Sequence, residues 1–182
     1  MTLLNVLAVC THNRTRSVMM GALLRTHLEA VGIDVEVRTA GTRADGKPAM
    51  DRAVRILHGH GVDVSDHLST AIDAESVHAA DLIVTAEQAH VVDIAGQWPD
   101  VYPRTYTLPE LVERANIAGP RGDRTIAEWL GVLAHDREDP IEYLDSTGIP
   151  EVADPTGLSP AVWDACFAEL DQLARRLAKA LA

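Results

Sequence analysis

The chain reads as an α/β protein built on a parallel sheet, and three observations carry that reading. Apolar runs of strand length, Leu3 to Val9, Val35 to Ala40 and Asp81 to Thr85, alternate with longer stretches of helical spacing. Glycine marks the change of period at Gly32, Gly41 and Gly61. The first run ends in Cys10-Thr11-His12-Asn13-Arg14-Thr15-Arg16-Ser17, a polar loop that opens directly onto an apolar helix. Strands joined through helices are parallel by the crossover rule, and a ligand then sits at the carboxyl ends of the strands. Cys10 stands at such an end.

The elements follow in order. The run Leu3 to Val9 is a short, fully buried strand, and a helix from Ser17 to Ala30, with Ser17 as N-cap, stops at Gly32. Val35 to Ala40 alternates as a second strand closed by Gly41. A polar loop, Thr42 to Lys47, leads to a helix from Pro48 to His60 with the proline in its first turn. Gly61-Val62-Asp63-Val64 breaks away toward a short helix near residues 70–77. Asp81 to Thr85 is the third strand, Glu87 to Gly96 a helix, and Val101 to Leu108 contains a fourth, shorter strand.

Pro109 to Arg114 is helical, Gly119-Pro120-Arg121-Gly122 is a turn, and Thr125 to His135 is an amphipathic helix. Asp136-Arg137-Glu138-Asp139-Pro140 is a charged cap or loop. Ser159-Pro160, a cap followed by proline at the first helical position, starts a last helix that runs to the end. Its Val162, Phe167, Leu170, Leu173, Leu177 and Leu181 recur at helical spacing and dock it on the sheet. Cys166 on this helix reads as a small buried hydrophobe.

Size and composition bound the function. A chain of 182 residues without repeats or linker-like tracts is expected to form one domain, 1–182. Hydrophobic residues make up 47% and aromatics only 4%, so Leu, Val, Ile and Ala must build the core. A net charge of −11 argues against nucleic acid or an anionic membrane as partner. An anionic substrate would have to be drawn by a local site. The two cysteines, Cys10 and Cys166, lie far apart and show no zinc spacing; neither a metal nor a cofactor is expected. Met1-Thr2-Leu3-Leu4 has no basic region or cleavage site, and no apolar run reaches the ~20 residues of a membrane span. The expected location is the cytoplasm, where a free thiolate survives.

The loop carries the chemistry. A loop entering a helix N-terminus aims backbone N–H groups and the positive end of the helix dipole at one point, a geometry that binds phosphate. Cys10 and Arg16 flank five residues, a spacing that lets sulfur and guanidinium face one bound anion. The Arg16 fork matches two phosphate oxygens. Amides, dipole and Arg16 together favour the thiolate, the form that attacks. Ser17 Oγ is placed to hydrogen-bond the Cys10 sulfur and ease its departure.

At these residues the chain resembles the low-molecular-weight protein tyrosine phosphatase family, which reads apolar strand, Cys-x-Gly-Asn-x-x-Arg-Ser, then helix. The matches fall on Cys10, Asn13, Arg16 and Ser17, and the likeness extends to Thr39-Ala40-Gly41-Thr42, Ala80-Asp81-Leu82-Ile83-Val84 and Asp154-Pro155. His12 stands where the family usually has Gly, Val18 where it often has Pro, and Thr15 replaces a second loop cysteine. The resemblance implies a three-layer sandwich around a four-stranded parallel sheet of order 2-1-3-4. Against the usual family length, residues 109–149 are an enlarged connection that covers the site, carries a partner surface or simply packs on itself.

The resemblance further implies a phosphomonoester hydrolase. Cys10 is the nucleophile, the loop Thr11, His12, Asn13, Arg14, Thr15, Arg16 and Ser17 binds phosphate, and Asp154 of Asp154-Pro155-Thr156-Gly157 is the general acid and base. The substrate side is open between a phosphotyrosine protein and a small phosphorylated metabolite. No aromatic flanks Asp154-Pro155 or Arg43-Ala44-Asp45-Gly46, where phosphotyrosine-selective members carry rings; His12, Arg14 or Trp129 are the candidates to replace them. Phosphoarginine is disfavoured, because members acting on it carry Thr where Arg14 stands and Arg14 would repel a guanidino group. Two other classes stay in view: an arsenate reductase resolved by an external low-molecular-weight thiol, and a non-catalytic phosphate-binding regulatory module.

Overall fold

The computed structural model describes residues 3–182. Four strands, β1 Leu4–Cys10, β2 Val35–Gly41, β3 Leu82–Thr85 and β4 Thr105–Thr107, form one parallel sheet of order β2-β1-β3-β4. This is the expected order. Along β1 the side chains alternate between two cores, as a strand's period of two requires. Leu4, Val6, Ala8 and Cys10 face α1 (Arg16–Ala30), α5 (Leu108–Ala118) and α8 (Pro160–Leu181). Leu7 and Val9 face α3 (Ala74–Ala79) and α4 (Gln88–Gln97). Helices on both faces make the three layers.

The register of β1 against β2 pairs Cys10 with Gly41, so both strands end at the same level. Gly41 is needed there. A Cβ on it would lie 2.8 Å from Asn13 N and from Thr11 O, inside the backbone of the loop that follows Cys10. The next two residues are tied to the same loop, Thr42 N–H donating to Cys10 O at 3.1 Å and Arg43 N–H to Thr11 O at 2.7 Å.

Several boundaries differ from expectation for local reasons. Helix α1 begins at Arg16 with Thr15 in the N-cap position, and Ser17 is a helical residue whose hydroxyl turns to Cys10 and Asn13 instead of capping. Helix α2 spans only Asp51–Gly59; Pro48 bridges Leu68, and Met50 N–H is taken by Arg14 O at 2.8 Å. Residues before Ala74 do not join α3, because Ala71 bridges Gly41 and Asp73 accepts from Ser76 N–H as the cap. The short fourth strand expected within Val101 to Leu108 is Thr105–Thr107, and a 3-10 helix, Pro99–Arg104, leads into it. In α8, Trp163 is buried where Val162 was expected, and the rest of the expected stripe is buried.

Residues 109–149, expected as an enlarged connection, fold as α5, α6 (Ile126–Leu133) and α7 (Pro140–Asp145); the last was not anticipated. It is anchored by a buried cluster. Glu110 receives Arg137 Nε at 3.0 Å, Arg114 Nε at 3.0 Å and the Tyr143 hydroxyl at 2.8 Å. The Arg137 guanidinium lies over the rings of Tyr102, Tyr106 and Tyr143 at 4.0 to 4.8 Å. Burial and the neighbouring Glu110 push the Tyr143 hydroxyl well above the ordinary tyrosine range, so it remains a donor. Trp129 is fully buried with its Nε1–H donating to Gly119 O, so it offers no ring to a substrate.

Candidate active site

Cys10 ends β1 and is almost fully buried, its Sγ 3.1 Å from Ser17 Oγ in the first turn of α1. Between them the loop turns on Asn13, whose φ is +52°, a left-handed conformation that asparagine tolerates better than most. Three bonds hold that conformation. Thr70 N–H donates to Asn13 Oδ1 at 2.8 Å, Asn13 Nδ2 donates to Ser17 Oγ at 2.9 Å, and His67 Nε2 donates to Asn13 O at 2.8 Å.

With the Asn13 side chain facing inward onto Ser17 and the carbonyls of Cys10, Thr11, Asn13 and Arg14 taken by partners outside the loop, the backbone N–H groups are left over. Among the described residues none of Thr11 to Thr15 donates its N–H to a protein acceptor. The first N–H groups of α1 are free by helix geometry. The loop is thus a concave run of donors at a helix N-terminus, with a sulfur at one end.

Arg16 closes the other end. Its Nη1 donates to Val152 O at 2.9 Å and to the Glu87 carboxylate, and its Nη2 reaches Asp154 Oδ2 at 3.2 Å. The Arg16 side chain is 97% buried, and Nε has no protein acceptor among the described residues. Glu87 and Val152 hold Nη1, which leaves Nε, and Nη2 once it parts from Asp154, as the edge that meets an anion. Asp154 comes from the loop before α8, with its Oδ1 accepting from Thr156 N–H at 3.0 Å. Burial pushes the Asp154 carboxyl up, but the Thr156 bonds, Arg16 and His12 outweigh it and hold it below the ordinary carboxylate range.

The sequence-derived residues therefore meet: Cys10, Arg16, Ser17 and Asp154 converge, and Thr15 Oγ1 lies 3.5 Å from Thr156 Oγ1 where the two loops touch. His12 and Arg14 are placed at the rim. His12 Nδ1 donates to Arg43 O at 3.1 Å, and Arg14 Nε donates to Pro48 O at 2.7 Å. Glu87, His90, His67 and Thr70 escaped the sequence reading. Glu87 and His90 follow the carboxyl end of β3, so the rule that placed Cys10 could have drawn them in. His67 and Thr70 sit in an irregular segment with no periodic signal. Cys166 is buried behind the acid loop, its thiol donating weakly to Ala153 O at 3.7 Å, and burial pushes it up to about 11.

The chain is similar to known proteins in sequence and fold. Residues 5–120 match the family model described as low molecular weight phosphotyrosine protein phosphatase. A probable low molecular weight protein-tyrosine-phosphatase EpsP of Ralstonia nicotianae is 35% identical over 116 residues, 63% of this chain and 77% of the relative. A protein-arginine-phosphatase of Bacillus subtilis is 29% identical over 180 residues, 98% of this chain and 97% of the relative. Among solved structures, a YwlE arginine phosphatase mutant with a phosphorylated active site serine superposes with a TM-score of 0.73 at 26% identity, covering 97% of this chain and 94% of that one.

Proposed function

The chain belongs to the low molecular weight phosphotyrosine protein phosphatase family, whose members are cysteine-dependent hydrolases, and from that premise we propose that it removes phosphate from protein side chains through a phosphocysteine on Cys10. One observation carries the reading: Cys10 Sγ, Ser17 Oγ, Arg16 and Asp154 converge around a loop of unclaimed N–H donors.

The reaction runs in two displacements. The Cys10 thiolate attacks phosphorus while the loop amides and the Nε–Nη2 edge of Arg16 hold the three negatively charged equatorial oxygens in the trigonal-bipyramidal transition state. The P–O bond to the leaving group breaks, and Asp154 gives that oxygen its proton. A phosphate dianion draws Arg16 off Asp154 and adds its own negative charge nearby; both changes raise the Asp154 carboxyl toward the protonated form this step needs. In the second step carboxylate Asp154 takes a proton from water, water attacks phosphorus, and the P–S bond breaks. Ser17 Oγ–H supports the departing sulfur.

Phosphotyrosine is the substrate that the family premise favours. The rim supplies charge in place of rings, with His12, Arg14 and Arg43 on the β2 side, Glu87 at the start of α4 and Asp154 on the loop before α8. A second reading, protein phosphoarginine, is supported by the Bacillus relative matched along 98% of the chain. The Arg14 objection to it weakens, since Arg14 is bound to Pro48 O and lies near the Asp45 carboxylate, which Lys47 chiefly, and Arg14 in smaller part, hold below its ordinary range.

The test is metal-free hydrolysis of p-nitrophenyl phosphate, phosphotyrosine peptides, phosphoarginine peptides and sugar and nucleotide phosphates by wild type and Cys10→Ser. Wild-type phosphate release that vanishes in Cys10→Ser supports the mechanism, and the best substrate decides between the two side chains. A metabolite preferred over every peptide would sink the protein-substrate reading. Silence on all esters with thiol-dependent arsenate loss would move the loop to reductase chemistry.

A further inference from the structure

The first turn of α4 touches both ends of the Cys-x5-Arg loop. At one end the Glu87 carboxylate holds Arg16 Nη1. At the other, His90 Nε2 lies 3.0 Å from the Oγ1 of Thr11, the residue directly after the nucleophile. We propose that His90 is a positioning residue for the anion loop, acting through a hydrogen bond from Nε2–H to Thr11 Oγ1. The inference rests on the loop being an anion site, as the proposed function holds.

The direction of that bond follows from the other nitrogen. His90 Nδ1 is 3.1 Å from the backbone N–H of Glu87, which can only donate. Nδ1 therefore carries no proton, and a neutral ring must hold its proton at Nε2. The ring is 98% buried, which disfavours its charged form, and Arg16 opposes that form as well, against Glu87, Asp93 and Asp154. Thr11 Oγ1 is thus the acceptor, and its own hydroxyl proton is released to donate.

A helix cap alone does not explain this residue. Accepting one N–H at the N-cap needs a single acceptor atom on a short side chain. An imidazole does that with Nδ1 and carries a second, oppositely behaving nitrogen across to the loop. Fixing the Thr11 side chain fixes the first peptide after Cys10, the start of the donor run. With Glu87 on Arg16, one helix turn sets the spacing between the two ends of the site.

Two substitutions separate the roles. His90→Asn keeps an acceptor for the Glu87 N–H but is too short to reach Thr11; His90→Gln extends an amide N–H to it. Inorganic phosphate affinity is measured by calorimetry, with KM and kcat on p-nitrophenyl phosphate and thermal midpoints alongside. His90→Asn is expected to hold the wild-type midpoint while phosphate affinity falls about fivefold, the loss of one neutral hydrogen bond. KM should rise by the same factor with kcat changed less, and His90→Gln should recover affinity to within about twofold of wild type. Thr11→Val should match His90→Asn, and the double variant should be no worse than either. Wild-type affinity in His90→Asn, or losses that multiply in the double variant, would overturn the inference. Should His90→Asn not fold, Thr11→Val and His90→Gln decide: unchanged phosphate affinity in Thr11→Val overturns the proposal, and a fivefold loss there beside near wild-type affinity in His90→Gln supports it. Phosphate binding needs no turnover, so an inactive wild type with this pattern intact would sink the proposed function alone.

Discussion

Arg16 Nη2 and Asp154 Oδ2 lie 3.2 Å apart, so the cation that would hold a phosphoryl group is also the counter-ion of the acid beside it. Binding and acid strength are thereby linked through one guanidinium. Asp154→Asn removes the proton donor but leaves the loop amides. Its kcat should fall by about 10²–10⁴ for phenyl phosphate, whose leaving group needs the proton, and far less for p-nitrophenyl phosphate. Steady-state kinetics on the two esters checks this, and equal losses would tell against an acid role.

Gly41 lies under the loop, where a Cβ would be 2.8 to 2.9 Å from the backbone of Thr11, His12 and Asn13. Those are peptide atoms with nowhere cheap to go. Gly41→Ala should weaken inorganic phosphate binding at least tenfold while far-ultraviolet circular dichroism stays that of the wild type. Unchanged phosphate affinity would show that the loop yields to the methyl group.

The anchor of residues 109–149 predicts a stability difference between two arginines. Arg137 is 98% buried and bidentate on Glu110, whereas the Arg114 side chain is 23% exposed. Removing one partner of a buried pair costs about 3–5 kcal/mol, because the other charge is left behind. Arg137→Ala should approach that loss in urea denaturation, and Arg114→Ala should lose clearly less. Equal losses would mean that Glu110 is satisfied by either cation.

His27 Nε2 and Asp171 Oδ1 meet at 2.7 Å between α1 and α8, with Arg175 on the second carboxylate oxygen. Burial pushes the Asp171 carboxyl up, but His27 and Arg175 outweigh it and hold it below its ordinary value. A depressed carboxylate contributes stability that is present above its unfolded pKa, ~4, and lost as pH falls through the folded value. The deficit of Asp171→Asn in thermal midpoint should therefore be full at pH 6 and shrink below pH 4. A deficit independent of pH would assign it to packing.

How much of this was legible follows from where each signal resides. The strands, the loop and the pairing of Cys10 with Arg16 rest on contiguous residues, so period and spacing reveal them, whereas the sheet order was legible only through the family resemblance. Ser17 was read as a cap because a serine before an apolar helix usually is one; in three dimensions its hydroxyl has a better use on Cys10 and Asn13. Pro48 reads as a helix start in isolation, but Leu68, twenty residues on, claims that segment as a bridge. Glu87 and His90 follow the carboxyl end of β3, where a site rule but no local pattern points, and His67 and Thr70 lie in an irregular segment that no period marks. Trp129 offered a ring on paper and lies in the core.

The clamp around Arg137 has one more effect. The chain has three tyrosines, Tyr102, Tyr106 and Tyr143, and all three are at most 7% exposed, gathered on that one guanidinium. A tyrosine kinase meeting the folded chain finds no phenol on its surface to modify. An enzyme of this family with its own phenols sealed inside presents no tyrosine that it could itself dephosphorylate, and its site is left to other proteins.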